Sequence, residues 1–155
     1  VSQLYFIDQN RIEQELLYIE KLVDLQETHT FSTAPIDQLA LERIASVLIE
    51  SIIDVGNQMI DGFIMRDPGG YEDIIDIMLD ERVISSEDAI HLKALIRVRK
   101  ELSYNYRELD YERLAKQLRA SHNSVKAFPI QIRAYLQNEL GVITAFIPDS
   151  ETERK

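Results

Sequence analysis

Arg99 stands among apolar residues. In the stretch Leu92 to Tyr106, L-K-A-L-I-R-V-R-K-E-L-S-Y-N-Y, a helix turning about 100° per residue places Leu92, Leu95, Ile96, Arg99, Leu102, Ser103 and Tyr106 on one face. A guanidinium keeps its proton, so one withdrawn from water needs an anion or a set of acceptors. Two readings are open. Arg99 can be a snorkelling side chain whose stem covers core surface while its head reaches water. Alternatively, this face lines a cleft or a subunit interface and offers Arg99 to a phosphate or carboxylate.

A second polar set lies upstream. Glu50, Asp54, Asn57 and Asp61 are spaced 4, 3 and 4 residues apart, which makes a single line along a helix. The line is either a solvated face or the wall opposite Arg99, where Asp54 or Asn57 would orient the guanidinium. Glu72, Asp73 and Asp76 form a third set, of the oxygen ligands that hard divalent cations take. They resemble loosely the Glu-Glu-x-x-Glu run of the all-α nucleotide pyrophosphatases, which points to a magnesium-dependent nucleotide hydrolase as the alternative function. The three histidines, His29, His91 and His122, do not cluster, and one Asp88-x-x-His91 falls short of a di-iron set. No Gly-rich phosphate loop and no Ser/His/Asp order is present.

Helices must position these groups. Asp8 or Asn10 can cap a first helix to about Gln26, with Ile12, Leu16, Ile19 and Val23 on one face. Pro35 suits the first turn of a second helix that continues to about Met65. Its apolar arc is wide enough to require neighbours on two sides, which makes it the central helix of a bundle. Gly56 weakens it, and close packing of another helix would explain a glycine there. Asp67-Pro-Gly-Gly is a break. A short helix over about Tyr71 to Glu81 follows, and Ser85 or Ser86 caps a fourth that carries Arg99. A last helical pattern starts near Tyr111. Pro129 within it predicts a kink or break, and Gly141 predicts its end. The expected architecture is all-α, one domain over residues 1–147 with a disordered tail over 148–155.

Composition agrees. Few glycines and prolines (5 and 4 in 155 residues) favour long helices, and the absence of cysteine removes disulfides and thiolate metal sites. No apolar run is long enough to span a bilayer, and no signal peptide is expected. The net charge of −10 argues against a simple electrostatic grip on nucleic acid. Yet residues 1–90 hold 5 basic and 19 acidic side chains, whereas residues 91–135 hold 10 basic and 4 acidic. The basic third can meet an anionic ligand, an acidic patch on a dimer mate, or the chain's own acidic half.

The run Val98-Arg99-Lys100-Glu101-Leu102-Ser103-Tyr104-Asn105-Tyr106 resembles the signature helix of the HepT-like proteins of the HEPN superfamily. Their pattern is an apolar residue, Arg-Asn, three residues, His, any residue and Tyr. The Gly56-Asn57 pair in the long second helix, then Pro68, Tyr71, Ile74-Ile75, Leu79 and Val83-Ile84, resemble the same family, so the likeness covers roughly residues 5 to 147. It implies an antiparallel bundle of about five helices, a homodimer with the motif Arg and His at or near the interface, and metal-free RNA cleavage as the toxin of a toxin–antitoxin pair. It also implies a cytoplasmic protein, no cofactor, and a nucleotidyltransferase (MntA-type) antitoxin that adenylylates the motif tyrosine. By position Arg99 matches the motif arginine and Tyr106 the modified tyrosine. Two positions depart. Lys100 replaces Asn, and Tyr104 replaces the His. A phenol titrating near 10 is a poor proton shuttle at neutral pH, and five residues of regular helix turn Tyr104 about 140° from Arg99. The expectation is therefore weakened or absent ribonuclease activity, with binding of RNA, nucleotide or the partner surviving. Ser103, Lys100, Asp54 and Asn57 are the neighbours expected to contribute.

Overall fold

The computed structural model describes residues 7–144, with only the backbone over 142–144; the expected tail lies outside them. The described residues form six helices and no strand: α1 (Gln9–Thr28), α2 (Pro35–Gly62), α3 (Tyr71–Asp80), α4 (Ser86–Arg97), α5 (Arg99–Tyr104) and α6 (Tyr111–Thr144), with a 3₁₀ turn at Tyr106–Glu108. Since α4 and α5 are one helix interrupted at Val98, this is the expected bundle of about five.

Local chemistry sets the ends. Asp8 accepts from the Arg11 N–H at 3.0 Å and starts α1. Pro35 opens α2 at a position where its missing N–H costs nothing. Ser85 accepts from the Asp88 N–H and starts α4. The break expected at Pro129 does not occur. α6 is assigned as helix for 34 residues straight through it. One absent donor is outweighed there by Val125, Phe128 and Ile132, all buried and all held by the bundle. Nor does Gly141 end the helix, which continues to Thr144.

Pairings between helices give the directions. Ser121 donates to the His91 carbonyl, Ser124 to Asp88, and the Ser85 N–H to Gln131. Numbers rise on α6 as they fall on α4, so the two are antiparallel. Glu13 and Glu20 reach Arg133 while Glu27 reaches His122 and Lys126, which makes α1 and α6 antiparallel as well. Glu72–Arg97 and Asp76–Lys93 give the same for α3 and α4. α2 runs through the middle, with Leu48, Ile49, Ile52, Val55 and Met59 fully buried. At Gly56 a side-chain methyl would drive into Ile74 and come within 3.2 Å of Met78, so α3 lies directly on this glycine.

The sequence's uneven charge is answered in part within the chain, by five of the ten basic side chains of residues 91–135. Arg97, Lys93, Lys126, Arg133 and Arg99, all from the basic third, pair with carboxylates of the acidic first 90 residues.

Candidate functional site: a groove built on Arg99

Helix α4 does not continue smoothly into the signature segment. The Val98 N–H bonds to the Leu95 carbonyl at 3.0 Å, a tightened turn, before α helix resumes with Leu102 N–H on the Val98 carbonyl. α5 then stops at Tyr104, capped by the Asn105 N–H on Glu101. The one-faced stripe expected from Leu92 to Tyr106 therefore ends early. Leu92, Leu95, Ile96 and Leu102 are buried, whereas Ser103 and Tyr106 are exposed and Tyr106 belongs to the 3₁₀ turn.

Arg99 is the first residue after the break and is partly buried, with 29% of its side chain exposed. Its Nε donates to Glu50 of α2 at 2.7 Å. Its guanidinium carbon lies 4.2 Å from the centre of the Tyr71 ring, at the start of α3. An ion pair on one side and a cation–π contact on the other fix the plane of the fork. The bond to Glu50 raises the Arg99 pKa further, and Tyr71 and Tyr104 add to it. The polar line of α2 thus contributes its first member to Arg99. Asp54 lies instead beside Glu15 and Ser51 in the groove between α1 and α2, where burial and then the Asp54 charge raise the Glu15 pKa. Asn57 is half-buried and Asp61 exposed.

Arg99, Lys100 and Tyr104 line one open groove of about 750 Å³ together with Tyr71. Arg99 and Tyr104 are thus brought to the same groove by residues of one chain. Tyr104 is 75% exposed. Lys100 is exposed and makes no ion pair among the described residues. Tyr106 and Ser103 do not line this groove. Tyr71 and Glu50 are the two residues that the sequence leaves without a stated role at Arg99. Glu50 is visible as the end of the polar line, and Tyr71 follows the Gly-Gly break.

The groove's acidic wall is α3. Glu72 accepts from Arg97 at 2.9 Å, Asp76 from Lys93 at 3.0 Å, and Asp73 from both Nη atoms of Arg66 at 2.7 and 2.8 Å. The Arg66 bonds, aided by the Gly69 N–H, depress the Asp73 pKa to about 2. Each carboxylate of the set proposed for magnesium is already held by a cation. Among the described residues no three His, Asp or Glu side chains converge as metal ligands, so the magnesium-hydrolase reading loses its ligand set.

The described residues form an all-α bundle with a groove arginine on an interrupted helix, and it is similarity to known proteins that places the chain in the HEPN class. The ribonuclease HepT-like family model matches residues 12–132, and the chain belongs to that family. YutE of Bacillus subtilis (strain 168), provisionally described as an RNase, is 44% identical over 143 residues, which is 92% of this chain and 99% of YutE. The solved structure of YutE, there described as a cytosolic protein of unknown function, superposes with a TM-score of 0.86 over 88% of this chain and 96% of YutE. Two more distant structures share the fold. A toxin–antitoxin with AMP-PNP is 15% identical with a TM-score of 0.70, over 79% of this chain and 97% of that one. A tri-AMPylated Shewanella oneidensis HEPN toxin in complex with MNT antitoxin is 16% identical with a TM-score of 0.69, over 79% and 96%. No helix among the described residues is long and apolar enough to cross a membrane.

Proposed function

We propose that this chain is the toxin-type member of a toxin–antitoxin pair: a HepT-like protein that binds RNA through Arg99, and whose metal-independent ribonuclease activity is weakened or absent because Tyr104 replaces the family's histidine. It acts in the cytoplasm as a homodimer, folded as one domain over residues 1–147. A nucleotidyltransferase antitoxin is its partner, with Tyr106 as the acceptor of transferred nucleotide. That Tyr106 is 57% exposed and outside the Arg99 groove favours a partner enzyme reaching it.

One observation carries the reading. The Arg99 guanidinium is held from two sides, by Glu50 and Tyr71, at the edge of a groove where Lys100 adds an unpaired cation. Nε is committed to Glu50, which leaves the two terminal nitrogens for a phosphate. Phosphoryl-oxygen stabilisation is within reach of this arrangement. Proton transfer at neutral pH is without the family's histidine, since none lines the groove. Ser103, Asp54 and Asn57 do not line this groove and take no direct part in the binding proposed here.

The test uses purified protein and end-labelled single-stranded RNA, first in EDTA and then in magnesium. Binding in EDTA, little cleavage, and loss of binding in Arg99→Ala are expected. Tyr104→His should raise metal-independent cleavage by about 10²-fold, the usual contribution of a positioned acid–base group. RNA binding that survives Arg99→Ala, or nucleotide hydrolysis that appears only with magnesium, overturns the proposal.

A further inference from the structure

The groove that holds Arg99 is poor in free charge and rich in exposed tyrosine. Of its lining cations, Lys93 and Arg97 are bonded to Asp76 and Glu72, and Arg99 is bonded to Glu50. Lys100 alone is uncommitted. A phosphate chain therefore meets little net positive potential here, and electrostatics alone cannot supply much affinity. The aromatic side chains are arranged differently. Tyr71 leaves 47% of its surface open while its ring supports the Arg99 guanidinium at 4.2 Å. Tyr104, 75% exposed, lines the same groove. An aromatic ring, a planar guanidinium and a second open aromatic ring, with a lone lysine beside them, are the elements that hold a flat base and its phosphate together.

We propose that Tyr71, Arg99 and Tyr104 form a stacking subsite for one unpaired purine nucleotide, its base on the aromatic and guanidinium planes and its phosphate on Arg99 and Lys100. This rests on the RNA-binding reading above and adds where the energy comes from. Most of the affinity is stacking, so binding depends strongly on the presence of a base and weakly on salt. Purines stack over a larger area than pyrimidines and bind more tightly. The same chemistry is offered by a free nucleotide and by a nucleotide within a strand, and the second also uses surface beyond the groove.

Fluorescence titration of the intact protein tests this with a single-stranded oligoribonucleotide carrying one 2-aminopurine, the same strand with an abasic position in its place, and free 2-aminopurine riboside monophosphate. The expected result is quenching on binding, about tenfold weaker binding of the abasic strand, and a shallow slope against log salt, near one or two released ions. Tyr104→Leu and Tyr71→Leu should each abolish most of the quench, and Tyr104→Phe and Tyr71→Phe should keep it. Tyr104 is so exposed that its substitution leaves the fold intact, which separates the subsite from a folding defect at Tyr71. Quenching by the free monophosphate shows that one nucleotide suffices, and quenching by the strand alone shows that flanking residues of RNA are needed. Equal binding of the abasic strand, with a steep salt slope and no quench, overturns the subsite and leaves RNA binding standing. Failure to bind any of the probes overturns both.

Discussion

Two arginines of this bundle are bonded to glutamates, and they are bonded differently. On the α1–α6 flank, Arg133 donates from Nε and both terminal nitrogens to Glu13 and Glu20, at 2.7–3.1 Å. All three of its nitrogens are engaged, and its pKa is driven upward by those bonds. On the α3–α5 face, Arg99 spends Nε alone on Glu50 and rests its plane on Tyr71. The first arginine joins two helices with every nitrogen bonded. The second is oriented but incomplete, and its remaining donors open on a groove. Exposure does not separate the pair, since 33% of one side chain and 29% of the other is accessible. What separates them is how many donors the protein itself has satisfied.

The largest expected effect belongs to the scaffold. Phe128 is completely buried one residue before Pro129, where α6 passes through its proline unbroken. Phe128→Ala should cost about 3–5 kcal/mol, measured by urea unfolding. RNA binding per folded molecule should be unchanged. A loss of binding without loss of stability would mean that the two regions are not separable.

Next comes the seam that carries the groove. Gly56→Ala gains helix propensity of about 1 kcal/mol but pushes a methyl into Ile74 and Met78. Overpacking of this kind costs about 1–3 kcal/mol, so a net destabilisation of about 1 kcal/mol is expected in the same unfolding measurement. A stabilised variant would show that α3 sits more loosely on α2 than the packing implies. Smaller again is the direct contrast between the arginines. Arg133→Met should lower stability by about 1 kcal/mol, because two ion pairs go and Glu13 and Glu20 are left facing each other. Arg99→Ala should cost less than about 0.5 kcal/mol while removing RNA binding. Equal stability losses in the two variants would erase the distinction.

The scaffold was legible from apolar spacing because burial follows helical period: Ile12, Leu16, Ile19 and Val23 on α1, and Leu48, Ile52, Val55 and Met59 on α2, are all buried as their spacing requires. The groove was only partly legible. Arg99 stands out by type, but the tightened turn at Val98 has no glycine or proline to announce it. That turn is why the stripe does not run on to Ser103 and Tyr106. Pro129 shows the converse, a local breaker overruled by tertiary packing. The partners of Arg99 come from positions 28 and 49 residues earlier, Tyr71 and Glu50, and no period along the chain links such residues. The polar line of α2 therefore pointed to the right helix while leaving open which of its members would reach Arg99.

The smallest effect tests the acidic wall of the groove. Asp73 accepts from Arg66 and from the Gly69 N–H, and its pKa falls from the ordinary 3.8 to about 2. In the unfolded chain the carboxylate takes up its proton near 3.8, before the folded form does. Between about pH 4 and pH 2 the unfolded state thus binds more protons, and stability rises with pH across that window. The contribution is fully present above pH 4 and is lost as pH falls through 2. It is small, because the pair is reached by solvent. Many carboxylates titrate in the same range, so the informative quantity is the difference in Tm between the protein and Asp73→Asn, followed from pH 6 to pH 2.5. That difference should be constant above about pH 5 and shrink below pH 4. A difference that holds steady to pH 2.5 would mean that Arg66 gains as much from the neutral side chain as from the charge. The start of α3, and with it Tyr71, would then be held by the Gly69 contact and packing rather than by the ion pair.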